Sequence, residues 1–347
     1  MADETTNRQA FAIQRHYCEE MGAPITARVA GALQGALTRD TASGRRALDW
    51  PGEPTADALP LRLVGGLHAV AQSGRSARLA ALFAGEVTDA ADVAALLREE
   101  IAPHDAALLP WLDGPPQTNE AGRSSALLVG LLAVARRFAM PLEVLEIGSS
   151  AGFNLLIDRF GFDLGGTRVG PADAELTLAP EWRGPAPEPA DLRFASLRGV
   201  DVAPLDATDP EQARRLRGYV WADAPERLER MDRVIAMLRE APVRLERGDA
   251  AEWLVARLAA PQADGVARVL MHSVVWQYLG GERQARVRAA MDRAGARADA
   301  RRPLAWVAME PDRSLAQMSV TLRAWPDGSP ACTLAHVQSH GRWIAPV

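Results

Sequence analysis

Pro141 to Asn154, PLEVLEIGSSAGFN, passes from strand chemistry to tight-turn chemistry to helix chemistry within a few residues. Val144, Leu145 and Ile147 make a short apolar run suited to a strand buried on both faces, and Pro141 marks its start. Gly148 allows a sharp turn, and Gly152 reads as a place where the backbone approaches a ligand that a Cβ would obstruct. A helix is expected from roughly Ala151 to Arg159, its unpaired N–H groups directed into the same crevice. Strand, glycine turn and helix in succession are the nucleotide-site device of doubly wound sheets, where ligands lie beyond the carboxyl ends of the strands.

The kind of nucleotide is narrowed by what the loop lacks. Gly148 to Gly152 reads G-S-S-A-G and continues with Phe153, which departs from the dinucleotide fingerprint G-x-G-x-x-G. A Walker-type phosphate loop needs a lysine, and the chain has none. An acid ending the strand, Glu146, with Gly148, Ser149, Ser150 and Gly152 after it and Asn154 closing the stretch, resembles the first motif of S-adenosylmethionine-dependent methyltransferases. The departure from that motif is Ser150, where a middle glycine is common. The competing reading is a strand-to-helix turn that binds nothing, its glycines serving helix packing.

The 347 residues suggest about two domains, or one sheet domain with a helical appendage. With 48% hydrophobic and 24% charged residues the composition is that of an ordinary globular chain. A net charge of −5 and the lack of a basic block argue against nucleic acid as a partner. All 39 basic residues are arginine, which rules out lysine Schiff-base chemistry. Cys18 and Cys332 stand alone in no metal-ligand spacing, so neither a disulfide framework nor a metal site is expected. The start, MADETTNRQA, lacks the apolar core of a signal peptide, and the run Ala126 to Ala135 is too short to span a bilayer. A cytoplasmic protein acting on a small-molecule substrate, without membrane or nucleic-acid partners, is the expectation.

Residues 1–137 carry apolar positions at helical spacing and read as a helical N-terminal domain or lid; residues 138–347 read as an α/β domain with an irregular insertion at about 160–192. Just before the apolar run that leads into the glycine loop, PPQTNEAGRSS crowds polar groups together. Two readings stand side by side: capping alone, and a binding role in which Asn119 and Arg123 meet a cofactor carboxylate or the substrate. Strands are expected at Leu192 to Val202, Val243 to Glu246, Val266 to Met271 and Leu304 to Met309, with a small hairpin at Glu175 to Leu178. Met318 to Trp325 and Ala331 to Gln338 alternate as strands around Pro326-Asp327-Gly328, a hairpin signal.

The stretches PPQTNEAGRSSALL, LEIGSSAGFNLLIDRF, RGVDVAPLDATDPE, HSVVWQYL and PLAWVAMEP, in this order, resemble an uncharacterised bacterial family, a domain of unknown function, over nearly the whole chain. The resemblances imply a Rossmann-like, methyltransferase-type α/β fold: a mostly parallel sheet closed by an antiparallel hairpin, preceded by an all-helical N-terminal domain. Too few residues separate Glu310 from the hairpin for the helix usual at that point. In the resembled enzymes an acid ending the second strand holds the ribose hydroxyls, a role for Asp201 with Asp163 as rival. An acid after the third strand bonds the adenine amine, a role for Asp249, which also reads as the N-cap of the helix after it.

The leading expectation is therefore methyl transfer from S-adenosylmethionine to a small molecule or a side chain. The sulfonium is already activated, so the site must align a nucleophile and, where needed, take a proton. His272 is the expected base, with Gln277 and Tyr278 beside it as donors and aromatic wall. Two other functions stay open: a nucleotide-binding module that transfers nothing, and a serine hydrolase, because Gly148 to Gly152 also matches G-x-S-x-G and offers Ser149 or Ser150 as nucleophile with His272 or His340 as base.

Overall fold

The computed structural model describes residues 3–312 and 317–347. Six helices come first: α1 (Glu4–Glu20), α2 (Pro24–Ala36), α3 (Ala42–Leu48), α4 (Leu59–Gln72), α5 (Ala77–Phe83) and α6 (Ala90–Leu108). Then follow α7 (Arg123–Phe138), β1 (Leu142–Ile147), β2 (Gly161–Leu164), β3 (Thr167–Val169), β4 (Thr177–Leu178), β5 (Glu181–Trp182) and β6 (Phe194–Asp201). The remainder is α8 (Pro210–Gly218), α9 (Pro225–Glu240), β7 (Leu245–Arg247), α10 (Ala250–Ala259), β8 (Ala267–Ser273), α11 (Gly280–Gly295), β9 (Leu304–Asp312), β10 (Gln317–Trp325), β11 (Cys332–Val337) and β12 (Trp343–Pro346).

Two compact units are formed. The first comprises the chain through Thr118 together with Ala207–Asp232, and the second comprises Asn119–Asp206 and Arg233–Val347. In the helical unit, Phe11, Leu33, Leu48, Leu63, Leu67 and Leu97 are buried in one core. The stretch around Asp223 belongs here for a local reason. Its carboxylate accepts from the Ile25 and Thr26 amides and the Thr26 hydroxyl, so it caps α2, which begins with Pro24 and has no side-chain cap of its own. His68 is buried against Phe83, and burial pushes its pKa down to about 4, in keeping with a structural histidine.

The sheet unit contains nine strands in the order β5-β12-β11-β10-β9-β8-β1-β6-β7. From β9 through β8, β1 and β6 to β7 every neighbour is parallel. β1 is the middle one of these five parallel strands, and Leu142, Val144, Leu145, Glu146 and Ile147 are all buried there. α7 packs against β8, β9 and β10, while α10 packs against β1, β6 and α11. Leu145, Ile147, Leu254, Leu270 and Val287 share one core on the α10–α11 side.

Two expectations about the sheet need correction. The pairing beyond β9 is a run of three antiparallel neighbours, β10, β11 and β12, with β5 added parallel to β12, so the closing hairpin is not the edge. The short hairpin of the insertion is β2 with β3, turning at Gly165-Gly166, whereas Thr177–Leu178 pairs parallel with β2. Glycine pairs turn tightly, and the segment Glu175 to Leu178 contains none.

At the opposite, amino end of the parallel strands Arg268 is 3% exposed and donates to Glu143 Oε2 at 2.8 Å and to the carbonyls of Arg257, Ala260 and Pro261. A buried guanidinium survives there because its fork of donors is filled.

Candidate functional site

The carboxyl ends of the parallel strands converge on the loop after β1. Strand order reverses between β1, followed outward by β6, and β8, so this loop stands at the switch point where open α/β sheets place ligands. The amides of Gly148 and Ser149 both donate to the Val200 carbonyl at 2.9 and 3.1 Å, tying the loop to β6. The Ser150 amide donates to Asp201 Oδ2 at 2.8 Å, and Ser150 itself is left-handed at φ 53°. Asp201 Oδ1 accepts from Ala203, so this carboxylate shapes both loops.

Three expectations fail at this loop. No α-helix follows it: Phe153–Leu156 is one 3-10 turn, and the segment ends in turns before β2. Phe153 through Ile157 are buried without interruption, so this turn lies inside the unit. The expected row of helix N–H groups, with its dipole, is therefore missing from the crevice. The glycines also face protein. A Cβ on Gly148 would meet Val275 Cγ2 at 2.3 Å, and one on Gly152 would meet Val243 Cγ2 at 2.7 Å. Both residues have positive φ, 71° and 78°, so their conformation and their packing explain them without a ligand.

What does gather here is buried polarity. Glu146 is 1% exposed and accepts one 2.9 Å bond on Oε1 from the Asn154 side-chain amide, whose oxygen in turn accepts from Ser124 of α7. Glu146 Oε2 and the Ser150 hydroxyl are buried without a partner. Burial first, and the nearby Asp201 charge as a lesser cause, raise the Glu146 pKa from 4.5 to about 7 against the pull of Asn154 and Ser149. The neutral acid is thus the form the fold prefers. Its stabilisation is full below about pH 4.5 and is lost as pH rises through about 7. Buried His68, its pKa pushed down to about 4, contributes in the opposite direction over the same range, so Glu146→Gln should make stability in urea unfolding rise more steeply from pH 5 to 7.5 than in the parent; an unchanged pH dependence in the variant would assign the falling part to another group.

The polar segment ahead of α7 lies in the same unit. Asn119, at φ 27° and 8% exposed, keeps its Nδ2 without a bond. Arg123 donates from Nε to the Ser339 carbonyl at 2.9 Å, so its guanidinium holds the turn after β11. The residue joining α7 to the glycine loop is instead Ser124, whose place in a run of helix formers gave no sequence signal. Asp163 takes the amide of Gly166 in the β2–β3 turn of the small sheet, which leaves Asp201 as the acid at the end of the strand next to β1. Asp249 is the N-cap of α10, accepting from Ala251 and Glu252, and it pairs with Arg283; the Arg283 bond and those two amides hold its carboxyl below the usual range despite burial.

His272 is not placed as a base. It lies within β8, 1% exposed, stacked on Trp276 with ring centroids 5.4 Å apart. Trp306 Nε1, which can only donate, points to His272 Nε2 at 2.9 Å, so Nε2 must accept. Nδ1 then carries the proton and donates it to Glu310 Oε1 at 2.7 Å. Neither nitrogen is left for a substrate proton. Gln277 and Tyr278 sit on the following 3-10 turn and are exposed, Tyr278 by 66%, so they form no wall around the histidine.

Residues 8–345 match the family described as an uncharacterized protein conserved in bacteria, DUF2332. The chain belongs to the DUF2332 family. No curated protein and no solved structure matches it.

In this DUF2332 protein the serine-hydrolase arrangement is not assembled. The Ser149 hydroxyl donates to the Glu146 carbonyl, Ser150 Oγ has no partner, and both His272 nitrogens are taken; His340 Nδ1 meets Gln338. Among the described residues no group of three His, Cys, Asp or Glu side chains converges as metal ligands, and no helix is long and apolar enough to cross a membrane.

Proposed function

We propose that the chain binds S-adenosylmethionine or its demethylated product at the carboxyl edge of β1 and β6, and that it moves a methyl group to a small molecule. The observation that supports this most is a concentration of costs at one place. Among the described residues, three of the five non-glycine positions with positive φ, Asn119, Ser150 and Val274, begin or end segments at this edge, and Val274 is β-branched, for which such a φ is a true outlier. Buried Asn119 Nδ2, Glu146 Oε2 and Ser150 Oγ lack partners in the same region. Strain and unmet polarity persist where a bound ligand offsets them.

The residues fit the ligand in part. Asp201 already accepts two amides, and each of its oxygens has a lone pair left for a ribose hydroxyl. Glu146 Oε2 and Ser150 Oγ are the free groups next to it, suited to the polar amino-acid end. Asp249 does not fit the adenine amine, because taking that role would compete with its cap and with Arg283. The cofactor's sulfonium supplies the chemistry of transfer, and His272 supplies no base.

Isothermal titration of the full chain with S-adenosylmethionine and S-adenosylhomocysteine tests this. Saturable binding is expected, weakened at least tenfold by Asp201→Ala at an unchanged circular dichroism spectrum. Absence of heat with both ligands would refute the reading, and labelling by a fluorophosphonate at Ser150 would favour the hydrolase in its place.

A further inference from the structure

A second site lies on the α11 face of the sheet, within the same unit. Along β9, Trp306, Ala308 and Glu310 alternate onto one face; β10 sets Arg323 opposite Trp306 and Thr321 opposite Ala308, and β8 sets His272 opposite Ala308. Ala308 is the short residue between two long ones, and the hollow left above it has a volume of about 450 Å³. Trp276 and Trp306 line it with ring centroids 5.5 Å apart and planes tilted by 58°.

We propose that this hollow binds a small organic cation with N–H donors, an ammonium or guanidinium group on a short chain. Glu310 decides the charge. Its Oε1 accepts from His272 Nδ1 at 2.7 Å and from the Val275 and Trp276 amides at 3.0 and 3.2 Å, so the carboxylate is locked in orientation. Its Oε2 is buried and has no partner. An anchored carboxylate oxygen without a donor is costly, and a cation carrying N–H groups is the ligand that offsets this cost. The indoles add their π faces, which attract cations and not anions. The protein demonstrates that attraction itself: the exposed Arg288 of α11 lies over the Trp276 ring at 4.9 Å. Arg323 Nη1 is paired with Asp292 at 2.8 Å and its guanidinium lies over Trp325, so its charge is met within the protein, although its Nε is buried without a partner.

Entry requires movement. Oε2 is closed to water, and Trp276 rides on the 3-10 turn that follows the strained Val274, at φ 52°. A cation that displaces Arg288 and shifts Trp276 reaches the oxygen. This proposal is independent of S-adenosylmethionine binding at the β1 loop.

The test is titration of the full chain at low salt with agmatine, which carries both cation types, followed by tryptophan fluorescence and calorimetry, with glutarate as the anionic control. Saturable agmatine binding with a fluorescence change is expected, glutarate should give neither, and Glu310→Gln should weaken agmatine at least tenfold. Should Glu310→Gln fail to fold, Ala308→Leu fills the hollow while leaving the bonds of Oε1 in place, and it should abolish the binding. Failure of agmatine to bind the parent, equal affinity for glutarate, or agmatine affinity unchanged in a folded Glu310→Gln or Ala308→Leu protein would each overturn the proposal.

Discussion

Gly152→Val should unfold the sheet unit more readily instead of merely blocking a ligand. A side chain at φ 78° costs roughly 1–2 kcal/mol for left-handed backbone. The Cβ alone would stand 2.7 Å from Val243 Cγ2, and forcing extra methyl groups into such a contact costs roughly 1–3 kcal/mol more. The sum, about 2–5 kcal/mol, is a large part of the stability of an ordinary domain. Urea unfolding of Gly152→Ala, Gly152→Val and the double variant Gly152→Ala with Val243→Ala separates the two costs. Val243→Ala should restore the steric part and leave the backbone part. A Gly152→Val protein as stable as the parent, yet unable to bind S-adenosylmethionine, would return Gly152 to its role as the place of ligand approach.

The parallel core was legible because its strands are buried on both faces, and a largely apolar run such as Val266 to Met271, interrupted only by Arg268, carries that signal. The hairpin of β10 and β11 was legible from its turn residues. Local chemistry also identified Asp249 as a cap, since an N-cap bonds amides only two and three residues away. The missing helix after Gly152 was not legible. FNLLIDRF has apolar residues at helical spacing, and nothing in the local sequence tells a short buried turn from a helix. The glycines misled for a related reason: a glycine required by Val275 or Val243, far along the chain, looks the same in sequence as one required by a ligand. Glu146 was visible as an acid at a strand end, but its raised pKa depends on burial that no local pattern reveals. Glu310 lay in view just past the expected strand Leu304 to Met309, while its bond to His272 joins residues on different strands.

His272 shows how such a bond changes a role. Removal of the ring by His272→Phe leaves Trp306 Nε1 without an acceptor and takes one of three donors from Glu310 Oε1. An unmet buried donor costs roughly 1–3 kcal/mol, and the fixed Glu310 carboxylate loses part of its support as well. The expected outcome is a loss of about 2–4 kcal/mol in urea unfolding, with S-adenosylmethionine affinity of the folded protein within twofold of the parent. Trp306→Phe leaves His272 Nε2 without its donor but keeps the His272 bond to Glu310, so it should cost less, and the double variant should be non-additive because the two side chains share one bond. Nitrogen NMR of the imidazole gives the sharpest check: Nδ1 should carry the proton and Nε2 should be bare. A proton on Nε2, or a His272→Gln protein of parental stability whose turnover falls on the order of 10²–10⁴, would restore the histidine as general base.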